Sequence, residues 1–168
     1  GAFGTLGGQA RNYIGRLNAN GTPDPAFNPD AGDIISTLAL QADGRIVVGG
    51  DFSTLGGQTR NYIGRLNANG TLDTAFNPGA DAYVFALAVQ ADGKIVGGGA
   101  FVTLGGQPRN YIGRLTNDTA ALQNLTITND GHTISWMRSG ASPEVWRVTF
   151  EQSADGVIYT PLGSGTRI

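Results

Sequence analysis

Two short apolar blocks separated by Ala-Asp-Gly occur twice along the chain, as Ile35–Gln41 with Arg45–Phe52 and as Val84–Gln90 with Lys94–Phe101. Asp-Gly between two apolar runs is a strong local hairpin signal, because a primed turn needs positive φ. Each pair therefore predicts two antiparallel strands. In the middle copy a Gly-Gly loop, Leu55-Gly56-Gly57-Gln58, precedes an alternating segment, Asn61–Asn67. A turn at Ala68-Asn69-Gly70 then leads to a short strand, Thr71–Phe76, closed by Asn77-Pro78-Gly79. The two-residue period places Asn61, Ile63 and Arg65 on one face of the alternating segment and Tyr62, Gly64 and Leu66 on the other. The glycines at 97–99 would let neighbouring sheets approach closely.

The whole pattern is periodic. TLGGQ-x-RNYIGRL stands at Thr5–Leu17, Thr54–Leu66 and Thr103–Leu115, a spacing of 49 residues each time. Residues 3–51 and 52–100 agree at about two-thirds of positions, as expected of units that bury an apolar face only against a neighbour. Four short strands in such a unit match one propeller blade. The expected fold is all-β: propeller-type four-stranded blades in an incomplete array, followed by a partial β-sandwich. Repeats fill residues 1–116, as 3–51, 52–100 and a partial 101–116; residues 117–121 link them to the sandwich segment 122–168. Closed propellers typically hold about four to eight blades. Terminal blades must have their faces and edges covered elsewhere. The expectation is either a longer polypeptide or association with other copies of the chain.

After Ala121 the period is lost. Leu125–Thr128, Thr133–Trp136, Val145–Gln152 and Val157–Leu162 are separated by turns at Asn129-Asp130-Gly131-His132, Arg138–Pro143 and Ala154-Asp155-Gly156. These segments predict antiparallel strands with Trp136 as a core anchor. The rest of the expected core is Phe52, Phe101, Leu66, Leu87, Val89 and Ile95.

Composition narrows the function classes. Apolar content of 40% supports a packed core, whereas one Lys, two Glu and one Met leave few helix formers. The net charge is −2 and no two basic residues are adjacent, so the electrostatic footprint for nucleic acid is missing. No apolar run approaches the ~20 residues of a membrane helix. The absence of Cys excludes disulfides, thiolate metal sites and Cys nucleophiles.

Candidate chemistry lies in the repeated polar positions. Arg60, Asn61 and Arg65 recur as Arg11, Asn12 and Arg16 and as Arg109, Asn110 and Arg114, beside Tyr13, Tyr62 and Tyr111. They could form a ligand-binding ring, with tyrosines stacking on sugars. Alternatively each Arg pairs with a carboxylate such as Asp73, or caps carbonyls between blades; recurrence in every unit favours this glue. Asn18, Asn20 and Asp24, and equally Asn67, Asn69 and Asp73, space oxygens around a Gly in the manner of a calcium loop. Each loop supplies one carboxylate and no Glu follows at the twelfth position, and Asn-Gly is also what a tight hairpin requires. Calcium is the one cofactor considered. His132, the one His, sits in a turn without the partners of a triad or a zinc site.

The unit F-x-T-L-G-G-Q-x-R-N-Y-I-G-R-L-N-A-N-G-T-x-D-x-A-F-N-P, followed by L-A-x-Q-A-D-G-K-I-V-x-G-G, closely resembles the delta-60 repeat family of bacterial β-propeller repeats. The segment with Ser139-Gly140 and Pro143-Glu144-Val145-Trp146-Arg147 looks like the fibronectin type III or immunoglobulin-like module that often follows such repeats. The resemblance implies a bacterial extracellular or cell-surface protein and transfers no catalytic set. No catalytic residue is expected. The expected function is a non-catalytic repeat module for binding, adhesion or structural assembly, with glycan binding or degradation as the alternative. Expected partners are other copies of the chain, the remainder of a longer polypeptide, or polysaccharide, with neither nucleic acid nor membrane insertion.

Overall fold

The computed structural model describes residues 1–128 and 131–166, and among these the chain is all-β, without helix. It opens with β1 (Thr5–Leu6) and β2 (Gln9–Ala10). The next unit contributes β3 (Ile35–Leu40), β4 (Ile46–Gly50), β5 (Thr54–Leu55), β6 (Gln58–Thr59) and β7 (Ile63–Leu66). The series recurs as β8 (Val84–Val89), β9 (Ile95–Gly99), β10 (Thr103–Leu104), β11 (Gln107–Pro108) and β12 (Ile112–Leu115). Antiparallel sheets ordered β3-β4-β7 and β8-β9-β12 are two blade-like bodies, and β8 lies against β3 and β4 of the sheet before it.

The turns divide their chemistry differently from the sequence expectation. The primed geometry belongs to the Gly-Gly loops: in β1–β2 the pairs Leu6↔Gln9 and Thr5↔Ala10 enclose Gly7 and Gly8, at φ 53° and 78°. The Asp-Gly hairpins instead use a three-residue loop, in which Gly44 alone has positive φ, 80°. Gly44 N–H donates to the Gln41 carbonyl at 2.9 Å, and the Asp43 carboxylate accepts from the Arg45 amide at 3.0 Å.

Two strands are shorter than expected. The fourth strand, Thr71–Phe76, reduces to one bridge, Leu66↔Leu72. Asp73 ends it, because its carboxylate accepts from the Ala75 amide at 3.1 Å and turns the chain. The segment Asn61–Asn67 becomes β7 only from Ile63. Ile63 N–H donates to the Asn61 carbonyl at 2.8 Å across Tyr62 at φ 65°, a γ-turn of the rare positive-φ kind. The alternation is therefore broken at Tyr62, which packs on the same side as Ile63.

The core is split between consecutive units. Ile14, Phe27, Ala31, Ile35, Val48, Phe52, Leu55 and Leu66 form one buried cluster; Val47, Ile63, Phe76, Ala80, Val84, Ile95, Phe101 and Leu104 form the next. Leu87 and Val89 are half-buried at the margin of the second cluster. Of the glycines, Gly49 brings sheets together: a Cβ there would stand 2.7 Å from Val84 of the next unit. At Gly99 the close neighbour is instead the Tyr83 carbonyl of its own sheet, 2.0 Å from an added Cβ.

The remaining strands, β13 (Ala121–Ile127), β14 (Ile134–Gly140), β15 (Thr149–Gln152) and β16 (Thr160–Ser164), make two separate antiparallel pairs, β13–β14 and β15–β16. The first pair starts four residues earlier than expected, and its Asn129-Asp130 turn lies outside the described residues. The expected strand from Val145 begins only at Thr149, since Pro143 and Glu144 are engaged with Gln41 and Leu40. The last strand starts at Thr160 because the Asp155 carboxylate accepts from the amides of Val157 and Ile158 at 2.8 and 2.9 Å and holds them in the turn. Trp136 is half-buried rather than a core anchor, with the Arg138 guanidinium 4.8 Å from its ring centre. The segment after β14 docks on the β3–β4 turn: the Ala42 and Asp43 amides donate to the Ser142 and Gly140 carbonyls, and Ala141 and Ser142 are buried.

Candidate functional site

The repeated arginines of the RNYIGRL segment divide into two jobs. Arg65, on β7, is fully buried. Its Nε donates to Asp73 Oδ2 at 2.8 Å within the unit, and its guanidinium stacks 4.6 Å from the Phe76 ring centre. Its other two nitrogens leave the unit: Nη1 donates to Asn117 Oδ1 at 2.7 Å and Nη2 to Asp118 Oδ1 at 2.8 Å. Arg16 repeats the arrangement one period earlier. Its Nε reaches Asp24 Oδ2 at 2.8 Å, its guanidinium lies 4.5 Å from the Phe27 ring centre, and Nη1 donates to the Ala68 carbonyl at 2.7 Å. Ala68 and Asn117 are period-equivalent positions, so both arginines bridge one unit to the same turn of the next.

Electrostatics follow from these contacts. The hydrogen bond from Arg65, outweighing the cost of partial burial, holds the Asp118 carboxyl below the ordinary carboxylate range. Asp24 is lowered in the same way, first by Arg16 and then by the Ala26 amide. Arg45 joins the Arg65 cluster, donating to Thr119 Oγ1 at 2.9 Å and standing 3.3 Å from Asp43 and 3.7 Å from Asp73. Nothing in the repeat pattern signalled Arg45, Asp118 or Thr119 as members. The alignment of Asn117 with Ala68 was the available clue.

Arg60 and Arg11 are buried as well, but they work within their unit. Arg60 Nη1 donates to the Thr59 carbonyl at 2.7 Å and Nη2 to the Thr74 carbonyl at 3.4 Å, as Arg11 does with Ala10 and Asp24 at 2.7 and 3.0 Å. Next to them sits the γ-turn, whose central Tyr13, Tyr62 and Tyr111 lie at φ 64°, 65° and 65°. Their amides donate to the carbonyls of Phe3, Phe52 and Phe101 at 2.8 Å, which fixes the turn in all three copies. Tyr62 meets Tyr83 edge-on with ring centres 5.7 Å apart, and Tyr83 meets Phe85 at 6.1 Å. Asn61 and Asn110 are exposed, whereas Arg60 and Arg65 are buried.

In the last unit the same residues face outward. Arg109, Asn110 and Arg114 are exposed, and Ile112 is 66% exposed where its equivalent Ile63 is at 0%. The candidate calcium loops hold their oxygens in turn contacts. Asn20 Oδ1 accepts from the Thr22 amide and hydroxyl at 3.1 and 2.7 Å, Asn18 Nδ2 donates to Thr22 Oγ1 at 3.0 Å, and Asn67, Asn69 and Thr71 repeat the set. Asp24 and Asp73 point to Arg16 and Arg65. Among the described residues, no three His, Cys, Asp or Glu side chains converge. His132 is exposed.

A protein-family model described as "Domain of unknown function (DUF5122) beta-propeller" matches residues 1–27, 41–76 and 90–118, together more than half of the chain. The chain belongs to the DUF5122 beta-propeller family. Each matched segment holds one Gly-Gly loop, one γ-turn tyrosine and one bridging-position arginine, so the DUF5122 pattern coincides with the seams between units. No curated protein and no solved structure matches the chain.

Proposed function

We propose that this DUF5122 chain is a non-catalytic repeat module of a bacterial extracellular or cell-surface protein, serving structural assembly, adhesion or binding. The observation that carries the reading is the use of its conspicuous polar side chains. Arg16 and Arg65 tie successive units together, and Asp24, Asp73 and Asp118 are their counter-ions. Glycoside hydrolysis needs one carboxyl group with a raised pKa to donate a proton. Asp118 and Asp24 are displaced in the opposite direction, by arginine. The delta-60 resemblance supports assignment to that group of surface propellers. The alternating tail supports a fibronectin- or immunoglobulin-like module over 122–168.

Glycan binding without cleavage is a second reading, favoured by the row of rings at Tyr62, Tyr83 and Phe85, of which Tyr83 and Phe85 are exposed. A polysaccharide screen that scores binding and reducing-end release separately tests both readings. The expected result is no reducing-end release from any substrate. Release that disappears in Asp118→Asn or Asp73→Asn would overturn the non-catalytic assignment.

A further inference from the structure

We propose that the third unit takes an extended peptide strand, carrying an apolar residue, then Asp, then Phe three positions later, along the free edge of β12. The inference rests on the reading of the chain as a binding or assembly module and names the chemistry of its partner. The first two units carry such a strand themselves. Leu17 bridges Pro23 and Leu66 bridges Leu72. Backbone bonds flank each bridge. The Asp24 and Asp73 amides donate to the Arg16 and Arg65 carbonyls at 2.8 and 2.9 Å, and the Asn18 and Asn67 amides to the Thr22 and Thr71 carbonyls at 2.8 Å. The apolar residue covers the Gly-Gly loop: a Cβ at Gly7 would stand 2.6 Å from Pro23, and one at Gly56 3.0 Å from Leu72. The Asp pairs with Arg16 or Arg65, and the Phe stacks on the same guanidinium.

In the third unit the chain leaves this place. Ala120, Ala121 and Leu122 stand one period after Thr71, Leu72 and Asp73. The Ala120 carbonyl accepts from the Ala141 amide at 3.1 Å, and Ala121 and Leu122 pair with Gly140 and Ser139 on β14. The opening is therefore made inside the chain, by residues that are held elsewhere. Three complementary features stay behind. Arg114 pairs with Val96 as Arg65 does with Val47, but β12 has β9 as its one neighbour, so the Arg114 carbonyl and the Thr116 amide stand on a free edge. Gly105 lines an open cavity of about 350 Å³ together with Leu115, Thr116, Phe76 and Pro78. Arg114 is exposed, and among the described residues its guanidinium has neither a hydrogen bond nor a salt bridge. An added strand gains main-chain bonds from the edge, while the cavity and Arg114 select its side chains. The strands at Pro23–Phe27 and Leu72–Phe76 are seated in their own units, so the occupant is a further strand of the same pattern.

Fluorescence anisotropy of a labelled synthetic peptide with the sequence of residues 71–78, titrated with the full chain, tests the proposal. Saturable binding with a Kd between about 1 μM and about 1 mM is expected. Arg114→Gln in the chain, or Asp73→Asn in the peptide, should weaken it roughly tenfold. Thr116→Pro removes a donor from the edge and should weaken it similarly. Cooperative urea unfolding confirms that each variant is folded. Hydrogen exchange reads the place of binding: the peptide should slow the Thr116 amide and leave β3 and β8 unchanged. Three outcomes overturn the site: no saturation up to about 1 mM, an affinity indifferent to both Arg114→Gln and the altered peptide, or protection on β3 or β8 in place of β12. Each leaves the non-catalytic module reading standing. Reducing-end release from polysaccharide strikes that reading alone.

Discussion

Arg65 and Asp73 form an ion pair, Nε to Oδ2 at 2.8 Å, that is repeated at the same distance by Arg16 and Asp24 one unit earlier. The two pairs differ in their surroundings. The Arg65 side chain is 1% exposed and the Arg16 side chain 41%. The pair geometry is the same, so burial, together with the second carboxylate Asp118 that Arg65 alone engages, should separate their contributions.

Truncating Arg65 leaves Asp73 half of a buried pair, a change that typically costs about 3–5 kcal/mol. Arg65→Ala is expected to destabilise by about 3 kcal/mol in urea unfolding. Arg16→Ala should cost below about 1 kcal/mol, in line with solvent-screened pairs. Equal losses would show that burial does not set the difference.

Acid should loosen the seams. Arg65 holds Asp118, and Arg16 holds Asp24, below the ordinary carboxyl value of 3.8. A depressed folded-state value means that the unfolded chain takes up protons first as pH falls. The stabilisation is therefore complete above the ordinary value and is lost as pH drops through the lowered one. Urea midpoints should stay level from about pH 7 to about pH 5 and then fall, with a shallower fall in Asp118→Asn.

The glycine run at 97–99 should be divided in its tolerance. An added Cβ at Gly99 meets the Tyr83 carbonyl at 2.0 Å, whereas at Gly97 its nearest neighbour is a Leu87 methyl at 3.6 Å. Gly99→Ala is expected to cost about 3 kcal/mol or more, as core overpacking does at its upper range. Gly97→Ala should be neutral or gain up to about 1 kcal/mol from reduced chain entropy. Thermal melts of the two variants make the comparison.

Gln41 lies fully buried between the β3–β4 turn and the docked tail, and among the described residues neither the nitrogen nor the oxygen of its carboxamide has a hydrogen-bond partner. Its main chain, in contrast, is paired. Gln41→Leu removes the unsatisfied groups at similar volume and is expected to stabilise by about 1 kcal/mol in chemical denaturation.

Much of this architecture was legible because period and alternation are strong signals. The unit of 49 residues, the hairpins around Asp43-Gly44 and Asp92-Gly93, and the core positions Phe52, Phe101, Leu66 and Ile95 all follow from them. The γ-turn did not, because a tyrosine at positive φ opposes its own backbone preference and is held there by the Phe52 carbonyl and by packing. The fourth strand falls short of its expected length because Asp73, a turn former bound to Arg65, interrupts the segment. A carboxylate partner for Arg65 could be named from the repeat. Its second carboxylate could not, because Asp118 stands where the other unit has Asn69, a residue of different chemistry.

The central claim, that the repeated arginines join one unit to the next, is tested most directly by a double-mutant cycle between Arg65 and Asn117. Their side chains meet at 2.7 Å across the seam, 52 positions apart in sequence. Arg65→Met keeps the apolar stem, and Asn117→Ala removes the acceptor. Unfolding free energies of the parent, the two single variants and the double variant should give a coupling of about 1 kcal/mol or more, as for residues sharing a hydrogen-bond network. A coupling of zero within error would contradict the claim that Arg65 binds successive units together.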